Sequence, residues 1–170
     1  MMGIDSGYRL GFRTLAQKDL VLLERWYGMT DSFGYATGFK NFTEIRQILL
    51  EPIKPNRFIS MLDIGEDKRT IGFIYGEIKI IETKSVLWIY TLIIEPSIQH
   101  KGVGTCAINK FLQFIKIKYG PLTCFVSVLD KNTQGLSFWE NAGFSHSSVM
   151  EEPLNQIKSS RVAILKRNIK

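Results

Sequence analysis

The 170-residue sequence has no long apolar run, and nothing in it approaches the ~20 residues a membrane span needs. Residues 1–11 lack the apolar core of a signal peptide, which points to a cytosolic protein. It contains 2 cysteines, too few for a disulfide framework and without metal-site spacing. Cys106 and Cys124 both sit in apolar segments and read as buried free thiols. Asn41-Phe42-Thr43 matches a glycosylation acceptor, which carries no meaning without secretion. There is no linker, repeat or low-complexity stretch, so residues 1–170 read as a single domain. The basic residues are not clustered, although Lys166, Arg167 and Lys170 crowd the C-terminus as a solvated tail. A nucleic-acid-binding module would need a recognisable motif, and none is present. The phosphate-binding string G-x-x-x-x-G-K-[ST] is missing, and Gly102-x-Gly104 lacks the third glycine of the dinucleotide fingerprint.

What is present is globular. Hydrophobic residues make up 45% and aromatics 12%, enough for a core in a chain of this length. The net charge of +6 favours an anionic partner, either nucleic acid or a phosphorylated cofactor. Alternation and 3.6-residue periodicity predict strands over 8–15, 57–63, 70–81, 86–94, 122–128, 144–150 and 162–166. They predict helices over 19–27, 43–50 (capped by Thr43), 102–118 and 133–142. A glycine- and aromatic-rich loop spans 28–39. Within 70–81, Ile71, Phe73, Tyr75, Glu77 and Lys79 are assigned to one face, and Ile74, Ile78 and Ile80 to the other. Strands 70–81 and 86–94 form an antiparallel hairpin. This order predicts a mixed α/β or α+β sheet flanked by helices.

The most telling string is Gln99-His100-Lys101-Gly102-Val103-Gly104-Thr105, between a buried strand and an amphipathic helix. A glycine-rich strand-to-helix turn offers free N–H groups and the positive end of the helix dipole, a ready phosphate cradle. Glycine lets the backbone approach an anion closely. His100, Lys101 and Thr105 add side-chain donors.

That string resembles the [Q/R]-x-x-G-x-[G/A] motif of the GNAT superfamily of N-acetyltransferases. About thirty residues on, "NTQGLSFWENAGF" (132–144) resembles its second signature. The resemblance covers the C-terminal two-thirds of the chain. It implies a central twisted, mostly antiparallel sheet of about seven strands, splayed parallel strands in the middle, and about four flanking helices. It implies acetyl-CoA as co-substrate, with its pyrophosphate on Gln99, His100, Lys101, Gly102, Val103, Gly104 and Thr105. The pantetheine arm would lie between the strand ending at Ile94 and the strand 122–128, contacting the backbone of Ile94 and Asn132.

The family transfers acetyl directly to an amine, so neither cysteine needs a catalytic role. A backbone N–H near Ile94 would donate to the developing oxyanion. The usual acid, a tyrosine, is replaced by Trp139, whose indole has no useful acidity and reads as a packing anchor. Ser137 or a water is the substitute donor. No carboxylate lies in "LWIYTLII", so Glu77 on the neighbouring strand is the leading base, with a surface carboxylate as the alternative. Tyr75, Trp88, Tyr90, Trp26 and Tyr35, with Tyr27, Phe33 and Phe39, are expected to wall the acceptor cleft, against core packing of some of them. The expected activity is acetyl transfer to a primary amine of a small molecule or peptide. The competing reading is a non-catalytic acyl-CoA sensor. Neither nucleic acid nor membrane is expected as a partner, and a homodimer is left open.

Overall fold

The computed structural model describes residues 8–29, 41–147 and 162–170. Four α-helices and a seven-stranded sheet lie among them. The strands are β1 (Leu10–Thr14), β2 (Arg57–Ile64), β3 (Arg69–Ile81), β4 (Lys84–Ile94), β5 (Leu122–Leu129), β6 (Ser145–His146) and β7 (Val162–Ile169). The helices are α1 (Asp19–Gly28), α2 (Phe42–Leu50), α3 (Val103–Tyr119) and α4 (Thr133–Asn141). A single 3-10 turn, Pro96–Ile98, separates β4 from α3.

The sheet order is β1-β2-β3-β4-β5-β7-β6. Every pairing is antiparallel except β4 with β5. The predicted hairpin is present as β3–β4. Helices α3 and α4 pack on one face through Ile108, Phe111, Ile115 and Trp139, against Ile74, Leu87, Ile89 and Val126. Helix α1 packs on the other face through Leu23, Trp26 and Tyr27, against Met61, Phe73, Tyr75 and Ile93. The two apolar layers follow from period-2 alternation, which sends neighbouring residues of a strand to opposite faces.

Several boundaries differ from expectation for identifiable reasons. The cap of α2 is Asn41, not Thr43. Asn41 Oδ1 accepts from the Glu44 N–H at 3.0 Å, and the Glu44 carboxylate accepts from the Asn41 N–H at 2.8 Å. This reciprocal box satisfies two donors, which a cap two residues later would not. Ile71 packs with Ile74 rather than with Phe73. The β2–β3 register jumps from Leu62↔Gly72 to Asp63↔Thr70, so Ile71 is a bulged residue and the alternation slips there. Strand β7 runs three residues past its expected end, paired along β5. The expected strand 144–150 reaches beyond the described residues and appears within them only as β6.

A partly buried ionic knot fixes α1 to the sheet. Arg13 donates to Asp19 at 2.7 Å and to Asp63 at 2.9 Å, and Thr70 donates to Asp63 at 2.8 Å. The Arg13 guanidinium, through its hydrogen bonds and charge, holds the Asp19 carboxyl below its usual range despite burial.

Candidate functional site

The parallel ladder of β4 and β5 is short. It runs from Val86↔Thr123 to Ile89↔Val126 and stops. Past Ile89, β4 remains paired to β3, and past Val126, β5 remains paired to β7. The two strands therefore diverge, and a cleft of 500 Å³ opens between them. A strand edge left unpaired beside an open cleft offers backbone groups to a ligand.

A bulge marks where the divergence starts. Tyr75 faces Thr91 and Gly76 faces Ile89, so Tyr90 is the inserted residue. The slip turns both Tyr90 and Thr91 to the α1 side, while Leu92 and Ile94 face α3 and α4. The Glu95 N–H crosses to Ile71 on β3 at 2.7 Å. Alternation along the strand then turns the N–H and C=O of Ile94 the other way, towards the cleft.

At its wide end the cleft meets the start of α3. Gly102 caps this helix without any side-chain cap bond, and the first intrahelical bond runs from the Cys106 N–H to the Gly102 C=O. The N–H groups of Val103, Gly104 and Thr105 have no acceptor among the described residues. They sit at the positive end of a 17-residue helix, a fit for an anion. Gly102 has φ +77°, which favours glycine, and a Cβ there would meet nothing within 4 Å. Gly104 differs. Its Cβ would lie 2.9 Å from Phe138 Cε2, so this glycine admits the α4 ring rather than the ligand.

The structure brings many of the expected residues to one cleft. Ile94, Gln99, His100, Gly102, Gly104, Thr105, Asn132 and Tyr90 all line it. The Val103 side chain is buried, so its N–H is what it offers. Lys101 is exposed and turns its Nζ to the Ser97 carbonyl at 3.1 Å. Asn132 caps α4, its Oδ1 accepting from the Gly135 N–H at 2.8 Å, which leaves the amide NH₂ for a ligand. Tyr35, Phe33 and Phe39 lie outside the described residues.

Other expected residues stand elsewhere. Trp26 is fully buried in the α1 core and is not among the residues that line this cleft, because its helix turns that face onto Phe73 and Ile93. Trp88 is buried, stacked on Phe125 at 5.6 Å, where the parallel ladder is still closed. Tyr75 touches the cleft through Tyr90, on which it stacks at 5.0 Å. Glu77 lies behind Tyr90. One of its oxygens accepts from Arg57 Nε at 2.9 Å and the other from the Tyr90 hydroxyl at 3.3 Å. Burial and the Glu77 charge push the Tyr90 phenol well up, so it stays protonated. Burial likewise pushes Tyr75 and Tyr27 to about 12.

Trp139 packs edge-on against Phe138 at 5.0 Å and Phe144 at 4.9 Å. Ser137 on the same helix lines the cleft. Cys124 is buried, and desolvation holds its thiol protonated. Sequence reasoning did not single out Arg57, Ser127 or Phe138. Arg57 carried a signal in its register opposite Glu77 on adjacent strands, where opposite charges pair.

Among the described residues no three or more His, Cys, Asp or Glu side chains are grouped to hold a metal, and no helix is long and apolar enough to cross a membrane. No curated protein sequence matches the chain. Solved structures share the fold at low identity. An acetyl transferase from Salmonella typhimurium that modifies the N-terminal serine of ribosomal protein L7/L12 superposes with a TM-score of 0.74 at 11% identity, covering 95% of each chain. Spermidine N-acetyltransferase from Vibrio cholerae, in complex with CoA and spermine, gives 0.71 at 19% identity, covering 94% of this chain and 95% of that one. The PaiA N-acetyltransferase from Thermoplasma acidophilum, in complex with coenzyme A, gives 0.60 at 21% identity, covering 93% and 98%. Residues 23–144 match the acetyltransferase (GNAT) family, and the chain, with its splayed parallel strands and uncapped glycine turn, belongs to that family, whose co-substrate is acetyl-CoA.

Proposed function

We propose that this protein is an N-acetyltransferase acting on the primary amine of a small molecule or peptide. The observation that carries this reading is the joining of two features in one cleft. The uncapped start of α3 closes one end, and the bulged residue Tyr90, with a carboxylate behind it, stands at the other. Acetyl-CoA supplies an acetyl group activated as a thioester. Its pyrophosphate fits the N–H groups of Val103, Gly104 and Thr105, beside His100 and Gly102. Its arm fits along the β4 edge that leaves the parallel ladder after Ile89, where Gln99 Nε2 holds the Ile94 carbonyl and the Ile94 N–H faces the cleft, with the Asn132 amide opposite.

The amine must shed a proton as its nitrogen bonds the acetyl carbon. Glu77 takes it in this reading, through Tyr90. The Tyr90 oxygen receives a proton from the cleft while its own passes to Glu77 Oε2. Arg57 holds the other Glu77 oxygen and fixes the carboxylate in place. The N–H of Ile94 faces the cleft and can donate to the acetyl oxygen. Trp139 stays a packing residue, and the departing sulfur draws its proton from Ser137 or water.

The acceptor side already hosts a cation. Lys79 Nζ stands 5.0 Å from the Tyr90 ring centre and 6.0 Å from that of Trp88. A polycationic acceptor would meet like charge there, which favours a monoamine or a peptide N-terminus. The test is thiol release from acetyl-CoA with spermidine, a serine-first peptide and a panel of monoamines. Turnover with the peptide or a monoamine, abolished at neutral pH in Glu77→Gln, is the expected result. Tight acetyl-CoA binding without turnover across the panel would overturn the enzyme reading and leave an acyl-CoA sensor.

A further inference from the structure

A cradle made of backbone carries its own obstacle. Each peptide that aims an N–H at an anion also carries a carbonyl whose negative end repels one. Two of the carbonyls in the segment that leads into α3 are those of Ile94 and Lys101. Each is occupied by a side-chain donor. Gln99 Nε2 donates to the Ile94 carbonyl at 2.6 Å, and the Tyr8 hydroxyl donates to the Lys101 carbonyl at 3.1 Å. Tyr8 is 93 residues away in sequence, ahead of β1, and outside the stretch 23–144 that matches the family.

We propose that Tyr8 is a positioning residue for acetyl-CoA. Its phenol holds the Lys101 peptide with the carbonyl turned out of the cleft, so that this peptide does not set its oxygen against the pyrophosphate. Three observations converge on this. His100 and Gly102 line the cleft, while Lys101 between them does not. His100 at φ 59° and Gly102 at φ 77° are both left-handed, and a non-glycine residue holds that conformation only when its surroundings enforce it. The Tyr8 ring packs against the α3 core, so its hydroxyl is delivered by a fixed body rather than a flexible chain. The rest of the turn is braced from within. Arg69 binds Glu95 at 2.6 Å and Ser97 at 3.1 Å, and Lys101 binds the Ser97 carbonyl. Tyr8 grips the peptide that these contacts leave untouched. Without its hydroxyl that peptide is free to turn its carbonyl towards the ligand.

This inference rests on the acetyl-CoA reading of the cleft, and the experiment separates the two. Tyr8→Phe keeps the ring and removes only the donor. Acetyl-CoA binding is measured by calorimetry. Binding of S-acetylpantetheine, which lacks the pyrophosphate, is followed by protein NMR, which reaches millimolar affinities. Tyr8→Phe should weaken acetyl-CoA about five-fold, the equivalent of one hydrogen bond of ~1 kcal/mol. Its S-acetylpantetheine affinity and melting temperature should match the wild type. Unchanged acetyl-CoA affinity, or an equal loss for both ligands, would overturn the role of Tyr8 alone. A wild-type protein that binds no acetyl-CoA would instead remove the reading of the cleft, and Tyr8 with it.

Discussion

Gly104→Ala tests which of the two turn glycines serves the ligand. Gly104 is the second residue of α3, and its missing Cβ leaves room for the Phe138 ring of α4. A methyl group there would stand 2.9 Å from Cε2 and 3.3 Å from Cζ. Carbon atoms rest at roughly 3.5–4.0 Å, so the ring must retreat by about half an ångström or more. Phe138 cannot retreat freely, because it packs on Trp139, which packs on Phe144. Overpacking of this kind costs ~1–3 kcal/mol. Alanine returns at most ~1 kcal/mol of helix propensity, and less in a first turn. The net expectation is a loss of about 1 kcal/mol, or roughly 2–4 °C in melting temperature for a domain of this size. Phe138 lines the cleft, so acetyl-CoA affinity should fall as well. Denaturant unfolding with calorimetric titration reads both effects. The double variant Gly104→Ala/Phe138→Leu should recover stability relative to the sum of its parts, with a coupling above ~0.5 kcal/mol. A Gly104→Ala protein as stable as the wild type and uncoupled from Phe138 would refute the packing argument.

Two further predictions follow the same geometry. Asn132→Ala removes the cap of α4 and should cost ~1 kcal/mol of stability; calorimetry should also show weaker acetyl-CoA binding, and normal binding would confine Asn132 to the cap. Asp19→Asn leaves Arg13 part-buried with Asp63 as its remaining carboxylate and should cost ~2 kcal/mol at pH 7. Because the folded Asp19 pKa is depressed, its contribution is complete above the usual 3.8 and is lost as pH falls through the lower folded value. Urea midpoints of the two proteins should therefore converge below about pH 3.8, and a pH-independent gap would contradict the assignment.

Much of this was legible from the residues, for reasons that differ by element. Helix α3 could be placed because Ile108, Phe111, Leu112 and Ile115 repeat at helical spacing, and all four are buried. The glycine turn was legible because an N–H cradle is local backbone chemistry. What escaped depends on contacts distant in sequence. The bulges at Ile71 and Tyr90 each insert one residue, and period-2 counting across them assigns faces wrongly. Trp26 looked like a wall residue because an aromatic on an amphipathic helix reads alike whether its face meets a core or a ligand. Gly104 and Gly102 look equivalent in the motif. Only the position of Phe138 separates them. Tyr8 carried no signal, since nothing local to it points to Lys101.

The short parallel ladder has a mechanical consequence. Strands β1 to β4 and strands β5 to β7 form two half-sheets sewn together by four residue pairs, Val86–Ile89 against Thr123–Val126. Beyond that seam the halves are held by α3 and α4 packing across the back. A ligand lying in the gap spans both half-sheets, so it completes the architecture as well as occupying a site. Breathing of the seam and residence of the ligand are then one coordinate. Amide hydrogens on either side of the gap, at Leu92 and Ser127, should exchange more slowly when acetyl-CoA is bound, in step with its off-rate rather than with global unfolding.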